Sequence, residues 1–436
     1  MFFYLSRMKS ILIFVCLVAT LILASSSQAS YQPNTVYLLD EKHEPITQQL
    51  IIMLEYNPEL KGMLLRSIDM AKKINPDRAT NPAQSLEDYY DFINWAAKAM
   101  PWTILPSAHS SSLYEQIDQS LNYFYFINDQ PLPELKGKGY FNNSLQYHEP
   151  YRSWLILFTK QWGRYLGEEE SWNEEYYKLA LADDRFGLAK GWYEDPSNWK
   201  SFNDFFARYL KSPDQRPIAL PGDASVVTAP ADSRHQGEWK IDHDSNIVHH
   251  GGVVVKSSRL KSIPALLGED NPYKNAFAKG TFTHIFLDVN DYHRYHFPVS
   301  GVIRHIGIIK QDNAAGGITY WDPEIGKYIL ESINPGWQNI QTRGVVIIDT
   351  EEYGLVAVIP VGMSQVSSVN FEESINPGDA VRKGDPLGYF LFGGSNIIFL
   401  FQSKVEFKLS VPKEACGTEY KHLLMGEEYG KLSPVK

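Results

Sequence analysis

Cysteine is nearly missing: Cys16 and Cys416 are the two thiols in 436 residues. With Cys16 inside an N-terminal segment that export would remove, this leaves no disulfide framework and no cysteine-based metal site. Positive charge is also in deficit, 41 Lys and Arg against 51 Asp and Glu, a net charge of -10. That balance excludes the phosphate-gripping surface of a nucleic-acid binder and gives no general attraction to anionic lipid. Beyond residue 30 there is no second membrane segment, no strongly basic amphipathic helix, no internal repeat and no low-complexity tract. What is present is ordinary globular material, 44% hydrophobic and 21% charged, enough for one or two sizeable cores.

The first residues are of another kind. MFFYLSRMKS carries Arg7 and Lys9, the apolar ILIFVCLVATLILA follows, and SSSQAS sets Ser27 and Ala29 at an A-x-A-like cleavage site. This pattern predicts a signal peptide over 1–29, cut after Ala29, and export to a periplasm or beyond. The alternative, a retained membrane anchor, conflicts with an apolar run shorter than the ~18 to 20 residues of a spanning helix.

From about 45 to 200 the apolar spacing is helical, as in ITQQLIIMLEYNPELKGMLLRSIDMAKKI and SLEDYYDFINWAAKAM, where Ser85 and Asp88 resemble a capping box. Further helices are predicted in SLYEQIDQSLNYFYFIND, SWLILFTKQWGRYL and NEEYYKLALADD. After residue 220 come short strand-like runs, TFTHIFLDV, GVIRHIGII, GVVIID, GLVAVIPVG and PLGYFLF, punctuated by Gly, Pro, Asn and Asp. The expectation is an α+β protein: a helical region over 30–200, then a β-rich sandwich- or barrel-like domain over 201–436.

Four blocks in the second half carry chemistry. SFNDFFARYLKSPDQRPI, 201–218, reads as an amphipathic helix with a Pro-bounded exit, blandly a docking helix. In TAPADSRHQG, Asp232 sits in a turn, where an Asp usually bonds its own backbone. DVNDYHRYHFPVSGVI sets His293 and His296 on opposite faces of a regular strand, unless the Pro298 end bends the chain. Such pairs are more often structural than catalytic. Metal ligation with His249 and His250 lacks an Asp or Cys at ligand spacing. In FGGSNIIFLF, Gly393 and Gly394 interrupt a buried strand, where glycine weakens packing and needs a reason. Ser395 follows an unhindered glycine carbonyl, and Asn396-Ile397 excludes the hydrolase pattern G-x-S-x-G.

FNDFFARYL, the Asp232 segment, YHRYH and the terminal GGS, in this succession, resemble the phosphatidylserine decarboxylase family of pyruvoyl enzymes. VAVIPVGMSQVSSVNF and PGDAVRKGDPLGYFLFGGS are similar to it as well, so the resemblance covers roughly 200 to 436. WGRYL and GWYEDPSNW in the helical half look more like a soluble branch, some of whose members decarboxylate free aromatic amino acids. Departures are Ser233 for the Gly after the acid, Asn396 after the serine, and Met363 for an Ala. None removes a reacting group.

The resemblance implies cleavage between Gly394 and Ser395, with His296 as base, Asp232 orienting it, and Ser395 converted into a covalent pyruvoyl cofactor. The two resulting chains, α and β, would stay paired. For decarboxylation the candidate is His293, as proton donor or as the group that orients the substrate's Schiff base, with His296 as a second candidate serving both steps; no metal is expected. The substrate is expected to be phosphatidylserine, met at a membrane surface, with a free aromatic amino acid as the alternative. Two other classes are a non-catalytic secreted binding protein on the same scaffold and a serine hydrolase using Asp232, His296 and Ser395. The apolar YFYFIND and WAAKAMPWTILP read as core filling ahead of a lipid entrance. The oligomeric state is left open.

Overall fold

A computed structural model describes residues 42–105, 112–137, 143–248, 261–311, 314, 318–331, 333–362, 368–393, 395–415 and 419–435. The predicted signal segment 1–29, both cysteines, His249, His250, Met363 and Gly394 lie outside the described residues.

The helical spacing produces helices where expected: α1 (Pro45–Tyr56), α2 (Pro58–Ile74), α3 (Leu86–Ala96), α4 (Leu113–Phe126), α5 (Tyr151–Tyr165) and α6 (Glu174–Ala182). Their starts are set by side-chain acceptors. Ser85 Oγ takes the Asp88 N–H at 3.0 Å, and Ser112 Oγ takes that of Glu115 at 3.2 Å. The expected capping box at Ser85 is half made, because Asp88 Oδ2 reaches past the cap to the Gln84 N–H at 3.2 Å. The YFYFI stretch of α4 and its exit is buried throughout, which bears out its reading as core.

The 201–218 block departs from expectation. Only α7 (Phe202–Phe206) is α-helical, with a complete capping box between Ser201 and Asp204, and a single 3-10 turn follows at Pro213–Gln215. The rest is taken by a neighbouring segment: Lys211 N–H donates to Trp192 O, Glu194 N–H donates to Tyr209 O, and Tyr193 bridges Leu210. These backbone bonds replace those of a further helical turn.

After the short α8 (Ile263–Leu267), the rest of the architecture is β. In chain order the strands are β1 (Val226–Thr228), β2 (Ser233–Lys240), β3 (Thr281–Leu287), β4 (Arg294–His296), β5 (Gly301–Ile309), β6 (Ile318–Asp322), β7 (Lys327–Glu331), β8 (Thr342–Asp349), β9 (Leu355–Gly362), β10 (Asn370–Phe371), β11 (Ala380–Val381), β12 (Pro386–Tyr389), β13 (Ser395–Phe401), β14 (Val405–Leu409), β15 (His422–Leu423) and β16 (Glu428–Pro434). The main antiparallel sheet runs β11-β5-β8-β9-β13-β3-β2-β15, with β11 and β15 at its edges, so it is open and not a barrel. Smaller sheets are β1-β16-β14, β10-β12-β4 and the hairpin β6-β7.

Continuous apolar runs in β8, β9 and β13 arise because both sheet faces are covered. Along β13, Ile397, Phe399 and Phe401 join the core that also holds Phe124, Phe158 and Trp162 of the helices. Ile398 and Leu400 point the other way, into a second core with Val345, Ile347, Ile359 and Trp337. A strand with period-two contacts on both faces needs apolar side chains at every position. From His43 onward helices and sheets form one compact unit. Gln119 of α4 stitches the two parts, exchanging hydrogen bonds of 2.7 and 3.0 Å with the Tyr328 backbone of β7.

Candidate active site

Several strand ends meet in one row. Ser395, the first residue of β13, lies between Leu287, the last of β3, and Gly362, the last of β9. On the far side of β3, Arg234 of β2 stands opposite Phe286. Continuing that register sets Ser233 beside Leu287 and Asp232 just beyond it.

Gly393 lies where the chain changes sheets. β12 pairs with β4, and the Phe390 N–H extends that pairing to His293 O at 2.9 Å; by Ser395 the chain has entered the main sheet. Gly393 makes the transition at φ +150°, a region that side chains with a Cβ rarely enter. The segment is held by α7, whose Asn203 Oδ1 accepts the Phe392 N–H at 3.2 Å. The Phe392 ring packs on Phe202 and Phe206 at 5.2 and 5.3 Å between centroids. FNDFF is thus a docking helix, and what it docks against is the approach to Ser395.

Ser395 is completely buried, and its Oγ has no hydrogen-bond partner among the described residues. A buried hydroxyl without a partner is costly, on the order of 1–3 kcal/mol. By the strand's alternation it shares the helix-side face with Ile397. The neighbouring Asn396 faces the other core, where Nδ2 donates to His284 Nδ1 at 2.8 Å and to Ile285 O at 2.7 Å.

His296 is buried on β4. A carbonyl only accepts, so its contact with Gly384 O at 2.9 Å puts the proton on Nδ1, and Nε2 accepts from the Tyr292 hydroxyl at 3.1 Å. Burial, outweighing the Gly384 bond, pulls its pKa down to about 4, so the ring is neutral.

His293 sits in the loop between β3 and β4 and stacks on Phe206 at 3.7 Å. Its Nδ1–H donates to Asp291 O at 2.9 Å, while Nε2 is buried and unpartnered among the described residues. Burial and the nearby Arg208 charge hold its pKa well below the usual histidine value.

Asp232 is also buried, but its hydrogen bonds go elsewhere than to His296. Arg216 grips it with two parallel bonds, Nε to Oδ1 at 2.9 Å and Nη2 to Oδ2 at 2.6 Å, and Oδ1 takes the Met425 N–H at 2.7 Å. Its charge still reaches His296, in the direction that favours protonation.

Arg216, Tyr292, Asn203 and Arg208 are site neighbours that sequence reasoning did not single out. So is the ion pair of Asp291 with His422, 2.9 Å apart, which joins the His293 loop to β15. Arg216, Asn203, Arg208, Asp291 and Tyr292 stood in the quoted blocks as unremarkable polar residues and His422 outside them; which of them face inward is decided by the fold.

The buried histidines predict an acid sensitivity. Burial lowers the folded pKa of His235 to about 3 and of His284 and His296 to about 4, and holds that of His293 well below the usual value. Unfolding exposes them to values near 6.5, so below that pH the unfolded state binds more protons. Stability is full above 6.5 and falls as pH drops toward 4, by about 1 kcal/mol per pH unit per histidine. Asp118 and Asp288, raised by burial to about 6 and 7, run in the opposite sense, as does the raised His422. His305 is depressed as well and Glu238 raised; the five depressed histidines outweigh the raised Asp118, Asp288, Glu238 and His422, so the urea midpoint is expected to be lower at pH 5 than at pH 7. An unchanged midpoint would refute the neutral burial of these rings.

The family model described as "Phosphatidylserine decarboxylase" matches residues 202–431, over half of the chain. The chain belongs to that family. A rice protein named phosphatidylserine decarboxylase proenzyme 2 is 34% identical over 252 residues, covering 57% of this chain and 36% of the rice protein. A phosphatidylserine decarboxylase proenzyme of Chlamydia pneumoniae is 31% identical over 238 residues, 54% of this chain and 71% of that protein. One of Fusobacterium nucleatum is 28% identical over 281 residues, 63% of this chain and 83% of its own length. The chain thus spans about a third of the rice relative and most of the bacterial ones. Asp232, His293, His296 and Ser395 all fall inside the part matched by the phosphatidylserine decarboxylase model, as do Arg208 and Arg216.

Proposed function

We propose that this chain is a self-processing pyruvoyl-dependent decarboxylase whose substrate is phosphatidylserine, with residues 201–436 carrying the chemistry. The observation that carries the reading is the Ser395 hydroxyl: buried, unpartnered, at the head of a central strand and preceded by Gly393 at φ +150°. An interior polar group that no structural bond employs is what a reacting atom looks like before it reacts.

Processing uses the chain's own atoms. Ser395 Oγ attacks the Gly394 carbonyl carbon, and the peptide C–N bond breaks as the ester C–O bond forms. Elimination then cleaves the Ser395 Cβ–O bond, freeing the Gly394 carboxylate and leaving a dehydroalanine. Water replaces its nitrogen, ammonia departs, and residue 395 becomes the pyruvoyl end of the small chain. His296 is neutral, and its Nε2, which accepts from Tyr292 in the uncut chain, takes the Ser395 proton once that bond is given up. Asp232, fixed by Arg216, supplies the nearby negative charge that supports the transient imidazolium. Sheet pairing keeps the pieces together, since β13 remains hydrogen-bonded to β3 and β9 on either side.

Residue 395 fits the group it would become: it is completely buried, shares its strand face with the apolar Ile397, and its Oγ has no hydrogen bond to give up. A pyruvoyl ketone supplies an electron sink for loss of CO2 from an amine-bearing substrate. Around it, the residues exclude water, and His293 Nε2 is available to hold and return a proton.

Intact-mass spectrometry of the purified protein tests the reading. The expected result is two polypeptides divided before residue 395, the smaller one blocked at its N-terminus and reactive to carbonyl reagents. The same spectrum reads whether residues 1–29, proposed to direct export, have been removed. A single uncut chain without a ketone would overturn the proposal. Release of CO2 from phosphatidylserine in mixed micelles, beside a panel of free amino acids, decides the substrate; turnover of the free aromatic amino acids alone would overturn the lipid assignment.

A further inference from the structure

Arg208 is a full charge with no exposed surface, placed two residues beyond the end of α7. Among the described residues it has no carboxylate within ion-pair distance. Its guanidinium lies over the rings of Tyr193 and Phe205, at 4.3 and 5.1 Å. Nη2 donates to Asn290 O at 2.8 Å and to Asp291 O at 3.2 Å, and Nη1 to Phe205 O at 3.3 Å. A buried cation held by carbonyl dipoles, ring faces and the Tyr193 hydroxyl at 3.4 Å, with no carboxylate, needs an explanation, because burying a guanidinium is expensive.

The explanation lies in the carbonyl it shares. Asp291 O is also the acceptor for His293 Nδ1–H at 2.9 Å. One oxygen therefore ties the arginine to the imidazole, and the loop that carries His293 is clamped by the arginine at two consecutive residues. We propose that Arg208 is a positioning residue that holds His293 in a single state, neutral, protonated at Nδ1 and bare at Nε2. It does so in two ways. The clamp on Asn290 and Asp291 aims the acceptor that fixes the tautomer, and the nearby positive charge opposes a second proton on the ring.

Other ionisable groups surround the loop: Asp288 and Asp291 within it, His422 from β15, and Tyr292, with Arg294 following on β4. Arg208 is the one whose charge acts on the His293 ring itself. Lysine is a poor substitute. A single ammonium on a flexible stem lacks the planar fork that stacks on two rings while bridging neighbouring carbonyls. What this state is for rests on the function proposed above; that Arg208 sets it does not.

The test uses uncut protein, so that failure of processing cannot obscure it. In the Ser395→Ala chain, nitrogen-15 NMR of the histidine side chains is expected to show His293 neutral, protonated at Nδ1, from pH 8 down to pH 5. In Arg208→Met on that background, His293 is expected to show mixed tautomers and to begin protonating within the same range. If Arg208→Met does not fold, Arg208→Lys carries the measurement, with His293 Nδ1–H exchange expected to quicken by roughly tenfold as a charged hydrogen bond is lost. A folded variant with lower Tm but an unaltered His293 signal and exchange rate would overturn the proposal, leaving Arg208 a purely structural residue. In mature enzyme, the acid limb of the decarboxylation profile should move to higher pH in Arg208→Met; failure of this arm alone, with the NMR result intact, would fall on the functional reading.

Discussion

The Ser395→Ala protein is expected to fold as well as the wild type and to remain one uncut chain with no decarboxylase activity. Both halves of this expectation come from the same atom. Ser395 is fully buried with Oγ unpartnered, so replacing it with alanine removes a desolvated hydroxyl that no bond compensates. Such a change is neutral or stabilising, by up to about 1–3 kcal/mol if the hydroxyl lacks a partner throughout. The volume lost is one oxygen, and the β13 register between β3 and β9 does not depend on the side chain. Chemically, the same deletion removes the only nucleophile that immediately follows the Gly394 carbonyl, so cleavage and cofactor formation stop together. A denaturing gel, a melting curve and a CO2 assay read the three consequences. Two fragments from the alanine protein would show that the scission, if present, is not made by Ser395. A large drop in Tm would show that the hydroxyl has a structural bond after all.

What the sequence made legible here was mostly local. The helices of the first half were readable from spacing because each presents one apolar face to a common core. β13 was readable as buried on both faces from its unbroken run. The residues Asp232, His293, His296 and Ser395 could be picked out, with the family resemblance giving them an order. Their partners could not. Whether Asp232 bonds His296 or Arg216 depends on how two separate turns are brought together, and the structure gives Asp232 to Arg216. Nor could the state of His296, the base by resemblance, be read from sequence: burial lowers its pKa to about 4 and keeps the ring neutral. The 201–218 helix was read too long because its continuation pairs with residues 192–194, a contact that amphipathic spacing does not encode. Sheet closure was likewise invisible, since edge strands such as β11 and β15 are each two residues long. The Gly-Gly interruption was visible as an anomaly, and the reason for Gly393, a passage between two sheets, required both sheets.

His293→Ala is expected to be cut like the wild type and then to decarboxylate slowly, with kcat down by about 10²–10⁴ and KM little changed. The magnitude is that of a positioned proton-transfer group. The reason to assign such a role to His293 rather than His296 is the difference in their free nitrogens. His296 Nε2 already accepts from Tyr292, whereas His293 Nε2 is buried without a partner, and its proton is committed to Nδ1 by Asp291 O. A neutral imidazole with one bare nitrogen in an apolar enclosure can take a proton and return it without exchanging with bulk water. Losing it affects the chemical step more than binding, which is why the effect should fall on kcat. The ring also fills space against Phe206, so alanine leaves a void. His293→Asn retains much of the volume and the potential to bond Asp291 O, and it should process normally, melt near the wild type and remain slow. Wild-type turnover in that asparagine variant would remove His293 from the chemistry. An uncut chain in both variants would instead make His293 the base for processing and displace His296 from that part.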